Sequence, residues 1–220
     1  NMQQVALAES GPLSDSVLLR VVAVGINFRD VLNVLGTYPG DAGPPGSDCA
    51  GIVSASGSLV KHLAVGTSVL GQVPGCLGSH AACPWYTLEV KPGCLSFYDA
   101  ASLVTTFATV DASYHGIPLC NTSVCLVHAA AGGVGLTAVS ALRGLGVRVC
   151  TTAGSLPKRG FLRSLGILHC ASSRSLQFAS IIAHHHDHGC AHVLNSLTSP
   201  GMVHASASTL QQGGSFVELG

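Results

Sequence analysis

The chain has 220 residues, enough for one large or two small domains. Apolar residues make up 47% and charged residues 9%, with ten cations against ten acids, so core material is ample and there is no electrostatic footprint for nucleic acid or an anionic membrane surface. No apolar run reaches membrane-spanning length, because glycine, serine or charge interrupts each one. The opening residues 1–8 lack the basic n-region and apolar core of a signal peptide. Nine cysteines, an odd count with no Cys-x-x-Cys, read as free thiols serving as small hydrophobes in a reducing, cytoplasmic compartment. Neither end carries obvious punctuation, and the chain reads as a segment of something longer.

Residues 1–98 read as mostly β. Val17–Val24 is a long strand, and Val31–Leu35 a short helix-like run. Residues 36–46, rich in glycine and proline, form a loop by composition. Further strands are expected in 47–54, 65–71, 75–82 and 87–90, and such close spacing suggests a small barrel or sandwich. Residues 98–114 form a helical stretch, with a break expected near its threonines. From Ser123 onward strands and helices alternate. Strands are expected at 123–128, 147–152, 168–172, 191–196 and 215–219, and helices at 134–145, 157–165 and 201–211. That alternation argues a parallel, doubly wound sheet. Five strands fall short of the six of a full dinucleotide fold, so the sheet is expected to be unfinished at Gly220 and the isolated chain marginally stable. The expected division is 1–98 and 99–220. His184–His188 is expected as a polar loop between a helix and the strand at 191–196, without a functional metal.

The chemical centre is His128-Ala-Ala-Ala-Gly-Gly-Val-Gly135, between an apolar strand and a helix-like run. The spacing is Ala130-x-Gly132-x-x-Gly135, so alanine stands at the first glycine of the usual pattern. In such a turn glycines let the backbone approach a pyrophosphate, and the helix N-terminus supplies N–H groups and the positive dipole end. The alternative is a tight strand–helix turn with no ligand. An NAD-selective fold places an acid about 20 residues further on. Residues 151–159 have none; they carry hydroxyls and the cations Lys158 and Arg159, and Arg174 follows the third expected strand. Cations there suit a 2′-phosphate, hence NADPH. Plain solvation of a helix start is the alternative, though such a start ordinarily favours acids.

Several segments carry a resemblance: Val24–Gly40 with its Gly-Ile-Asn-Phe-Arg-Asp core, Gly46–Gly51, Pro74–His80, His128–Gly135, Ala171–Arg174, Val193–Gly201 and Gly213–Gly220. They resemble the enoyl reductase domains of type I polyketide and fatty-acid synthases, in the medium-chain dehydrogenase/reductase superfamily, with quinone reductases as near relatives. The resemblance implies an α/β chain: an N-terminal β-rich GroES-like domain, then a doubly wound Rossmann domain, truncated at its C-terminus. It implies NADPH-dependent reduction of a trans-2-enoyl thioester on an acyl carrier protein, with neighbouring synthase domains and a homodimer as partners.

By the same resemblance Tyr38 and Asn27 are the catalytic residues, Tyr38 acting in α-carbon protonation and its stereochemistry. A loop tyrosine packed on Pro39, and a turn asparagine, are the plain alternatives. The implied cofactor site is Ala131, Gly132, Gly133, Val134, Gly135, Thr109, Ser155, Lys158, Arg174 and Asn195. Zinc relatives carry a cysteine at the position of Asn27 and Gly-His-Glu at Gly46–Asp48, so the resemblance implies a metal-free reductase. Two departures stand out. Thr198–Met202 lacks the lysine of many relatives, and their aspartate beyond Glu-Leu-Gly falls past Gly220. Two competing readings are a free-standing NADPH quinone or enone reductase, and a non-catalytic remnant of a synthase.

Overall fold

The computed structural model describes residues 12–41 and 43–219; the opening residues, which lack signal-peptide features, lie outside them. The chain divides into two compact units, 1–105 and 106–220.

The first unit is built on one antiparallel sheet. Its strands are β1 (Ser16–Gly25), β2 (Asp48–Ser56), β3 (Ser68–Gln72), β4 (His80–Pro84) and β5 (Leu88–Val90), in the order β4-β1-β2-β3-β5. β1 buries Val17 and Leu19 and turns Arg20 outward, the period of two that a one-sided sheet requires. These residues pack with Cys49, Val53 and Val69 into one core. The expected strand at 75–82 begins only at His80, because residues 74–79 turn, with Gly75 in the left-handed region at φ 77°. A short helix, α1 (Phe28–Val34), follows β1.

Helix α2 (Phe97–Tyr114) begins in the first unit, and the boundary at Thr105/Thr106 falls inside it. It runs unbroken through its threonines, contrary to expectation. Ala100 and Ala101 pack on Ala23 and Ala50, so small side chains lie at the centre of the helix–sheet contact, with Leu70 and Phe97 packed against them. A Cβ on Gly25 would stand 2.2 Å from the Ala101 carbonyl oxygen; only glycine permits that approach.

The second unit is a five-stranded parallel sheet, as counted from the sequence. Its strands are β6 (Val124–Val127), β7 (Arg148–Ala153), β8 (His169–Ser172), β9 (Cys190–Asn195) and β10 (Leu210–Glu218), in the order β10-β9-β6-β7-β8. All four residues of β6 are buried, as expected for a central parallel strand covered on both faces. One face packs Cys125, Val127, Ala138 and Leu142, and the other packs Val124, Leu126, Phe178 and Ile182. The crossovers are α3 (Gly133–Gly144), α4 (Leu156–Ser164), α5 (Gln177–His185) and α6 (Met202–Ala207). Helix α5 had no bounds in the sequence expectations, and His184 and His185 close its last turn rather than lying in a loop. A parallel β8-to-β9 connection demands such a crossover. Helix α6 is shorter than the expected 201–211, because Leu210 already pairs with Cys190. All nine cysteines are free, and only Cys94 and Cys120 are exposed.

Candidate functional site

Strand β6 ends in a turn that leads directly into α3. Ala129 is strained there, with φ 47°, the only non-glycine residue among those described with positive φ. Ala130 N–H bonds the Thr152 carbonyl at 2.9 Å and ties the turn to β7. Gly135 is buried at the helix–strand contact, where a Cβ would meet the Ala130 Cα at 2.5 Å. Gly132 and Gly133 are exposed, Ala131 and Val134 half-buried. No side chain caps α3, and its first turn has no acid. Of the five residues named from the sequence, Ala131 to Val134 therefore form one surface at the C-terminal edge of the sheet, where an open α/β fold takes its ligands and a helix start takes an anion, while Gly135 lies beneath it as a packing residue.

Beneath the turn lies a group that the sequence reading missed. His128 is 3% exposed. Ser206 Oγ–H donates to the Met202 carbonyl at 2.7 Å, so it accepts from His128 Nε2–H at 2.8 Å. Nδ1 is then left to accept from the Thr152 hydroxyl at 2.9 Å. Because burial keeps the ring uncharged, its single proton sits on Nε2. Burial pushes its pKa down to about 4, against the pull of the Glu218 carboxylate. The imidazole bolts β6 to β7 and α6, one residue before the strained Ala129. A histidine opening a glycine motif was the available signal.

Ser155 caps α4, accepting from the Lys158 N–H at 3.5 Å. Lys158 is exposed. Arg159, its neighbour, turns back to donate to the Ala153 carbonyl at 3.1 Å, so the two adjacent cations differ in use. Arg174 follows β8, and its Nε stands 3.7 Å from where a Cβ on Gly154 would lie, with Ser173 Oγ at 3.5 Å. Gly154 thus leaves a shallow cradle between the ends of β7 and β8, with Arg174 beside it.

Thr109 lies half-buried in α2, and its carbonyl accepts from Ser113 Oγ at 2.6 Å. Asn195 is fully buried at the end of β9. Its Nδ2 donates to Glu218 at 2.8 and 3.0 Å and to the Leu197 carbonyl at 3.2 Å. That amide braces β9 against β10, and Glu218 becomes the exposed end of the pair.

In the first unit Asn27 caps α1 and forms a reciprocal capping box with Asp30. Its Nδ2 donates to Asp48 Oδ2 at 3.0 Å and to Ser47 Oγ at 3.3 Å. Asp48 is 1% exposed and also accepts from Thr105 N–H at 2.9 Å and from Thr105 Oγ1 at 2.6 Å. Buried Asp30 accepts from Asn27 N–H and from Gly46 N–H, both at 2.9 Å. Neither carboxylate was singled out from the sequence. Tyr38 lies half-buried just beyond α1, with the Arg29 guanidinium 5.5 Å from its ring centre. The turn before it is fixed by Thr37 N–H, which donates to the Leu32 carbonyl at 2.9 Å.

The alcohol dehydrogenase GroES-like domain family matches residues 14–118, and the zinc-binding dehydrogenase family matches 133–220. The chain is 40% identical over 208 residues to the erythronolide synthase EryA2 of Saccharopolyspora erythraea, covering 93% of this chain and 6% of that synthase. It is 35% identical over 231 residues to the phthioceranic/hydroxyphthioceranic acid synthase of Mycobacterium tuberculosis, covering 100% of this chain and 11% of that synthase. The chain thus spans a small part of the curated relatives it matches. Among solved structures, the CurK enoyl reductase superposes with a TM-score of 0.90 at 36% identity, over 97% of this chain and 68% of that one. The Escherichia coli quinone oxidoreductase complexed with NADPH gives 0.87 at 27% identity, over 98% and 68%.

The second family's name mentions zinc. Asn27 donates to both Ser47 and Asp48, its amide nitrogen is no zinc donor, and among the described residues no three His, Cys, Asp or Glu side chains gather as ligands. The set does not fit a zinc ion. Relatives, superposed structures and sheet order agree: the chain belongs to the polyketide-synthase enoyl reductases, a quinone-reductase-like family of the medium-chain dehydrogenase/reductase superfamily.

Proposed function

We propose that this chain is the NADPH-dependent enoyl reductase domain of a polyketide or fatty-acid synthase, reducing a trans-2-enoyl thioester carried on an acyl carrier protein. The observation that carries the reading is the exposed Gly132–Gly133 surface at an uncapped helix start, with Lys158 in the first turn of α4 and Arg174 just past β8, rather than an acid after β7. Ala131 to Gly135 receive the pyrophosphate. Ser155, Lys158 and Arg174 receive the 2′-phosphate. Thr109 and the Asn195–Glu218 pair lie at the nicotinamide end. Bound NADPH supplies a hydride to the β-carbon; the protein must orient it, exclude water and manage one proton. Tyr38, a phenol that can give a proton and regain it, serves the α-carbon.

Residues 1–98 are the substrate domain and 99–220 the NADPH-binding domain. Neighbouring synthase domains and a second copy are the further partners, in the cytoplasm. No helix among the described residues is long and apolar enough to cross a membrane. A free-standing quinone reductase is the second reading, favoured by the superposition on the Escherichia coli enzyme. NADPH oxidation with a crotonyl thioester on a carrier protein, against a benzoquinone, separates the two. Turnover of the thioester that falls at least tenfold in Tyr38→Phe supports the reductase. Turnover of quinone alone overturns it in favour of the second reading, and turnover of neither makes the domain a remnant.

A further inference from the structure

Asn27 was expected at the reacting atoms, yet its side chain has no hydrogen left to give. An amide nitrogen carries two, and Ser47 Oγ and Asp48 Oδ2 take them. Its backbone N–H goes to Asp30. Asn27 therefore cannot donate to a thioester oxygen in this arrangement. The unusual group is Asp48, an almost fully buried carboxylate. It collects donors from two places: the residue just before α1 and, through Thr105, the middle of α2. A helix-interior N–H bonded to a side chain of another element is a specific arrangement, because such groups ordinarily stay within the helix. Neutral amide and hydroxyl groups, from Asn27 and Thr105, thus surround both carboxylate oxygens.

We propose that Asp48 is a positioning residue for Tyr38. The carboxylate fixes Asn27, Asn27 fixes the start of α1, and α1 carries both Arg29 and the Leu32 carbonyl that hold Tyr38 in its turn. The catalytic role expected of Asn27 thereby becomes a structural link, and Asp48 sets the aim of the phenol. The inference rests on the reductase reading for its kinetic consequence, but its geometry can be read without turnover.

The test uses the natural full-length protein with Asp48→Asn, which keeps shape but replaces one acceptor oxygen by a donor. Thr105→Val is the milder companion; it deletes only the hydroxyl donor and leaves the N–H. The first readout is the 19F NMR signal of fluorotyrosine at position 38. It is expected to shift in Asp48→Asn, and to shift less in Thr105→Val. The second is turnover of a 2-methyl-enoyl thioester: kcat falls about tenfold, KM for NADPH stays within about twofold, and the ratio of product epimers moves toward that of Tyr38→Phe. An unmoved fluorine signal in both variants overturns the proposal, whatever the activity. So does an epimer ratio equal to wild type alongside a lowered kcat, which marks a merely structural carboxylate. A moved signal in a protein that never reduces enoyl thioesters would sink the reductase reading and leave the positioning intact.

Discussion

Asp48 in the first unit and His128 in the second are both almost fully buried, and each gathers partners from distant points of the chain. They solve burial in opposite ways. Asp48 acts only as an acceptor, surrounded by N–H and O–H groups; His128 gives one bond and takes one as a neutral ring. A second buried imidazole, His192, has neither nitrogen bonded to a protein group and lies edge-on to the Tyr114 ring at 4.7 Å. The difference teaches where the molecule is sensitive to pH. The second unit holds its buried histidines uncharged, and acid must charge them.

The largest effect follows directly. Burial sets the pKa of both His128 and His192 at about 4, against 6.5 for a free ring. Between these values the unfolded chain binds protons that the folded one refuses, so stability falls as pH drops from 6.5 to 4 and levels off below. Each ring contributes roughly 3 kcal/mol to that loss. Trp85, the sole tryptophan, lies in the first unit, so its fluorescence reports that unit alone. Hydrogen exchange should find the second-unit amides opening, on acidification, before Trp85 emission changes. The reverse order would break the comparison between the units.

The glycine turn separates packing from binding within the second unit. Gly135→Ala places its Cβ 2.5 Å from backbone, which no side-chain movement relieves, and should cost about 3 kcal/mol by denaturant titration. Gly132→Ala meets only the Ala129 oxygen at 3.4 Å. Its stability should stay within about 0.5 kcal/mol of wild type, while NADPH affinity drops at least tenfold, because the lost property is backbone approach. Lys158→Ala and Arg174→Ala should each weaken NADPH about tenfold and NADH hardly at all, as expected for one charge-assisted bond to a 2′-phosphate. Equal losses for both nucleotides would return these cations to plain solvation.

Much of this was legible in the sequence, for reasons the structure makes plain. Strands β6 to β9 and the glycine turn stand where apolar runs and small residues put them, and the central strand β6 is continuously apolar as burial on both faces requires. Strand β10 instead starts at Leu210, inside the expected helix 201–211, because its polar edge-strand start carries no apolar run. The end of helix α5 escaped because its run of histidines mimics a polar loop. The buried polar partners were out of reach for another reason. Asp48 meets Thr105 across 57 positions, and His128 meets Ser206 across 78. Local pattern holds no record of such pairings. Asn27 and Asn195 were named from the sequence, but only geometry reveals that both amides are spent on protein partners.

The smallest effect probes the second unit's orphan pair. Tyr114 is half-buried beside His192 with its hydroxyl enclosed and without a protein partner, and burial raises its pKa above the ordinary phenol value. Removing a buried hydroxyl that bonds nothing recovers its desolvation cost and breaks no bond. Tyr114→Phe should therefore be neutral to about 1 kcal/mol stabilising, the opposite sign to most core changes. His192→Leu should likewise keep stability near neutral pH and remove about half of the acid-dependent loss, with His128 supplying the rest. Thermal melts at two pH values in the single and double variants decide it. A destabilised Tyr114→Phe would mean that the hydroxyl is satisfied after all, by a bound water shared with His192, and that the second unit uses its buried polar groups as fully as the first.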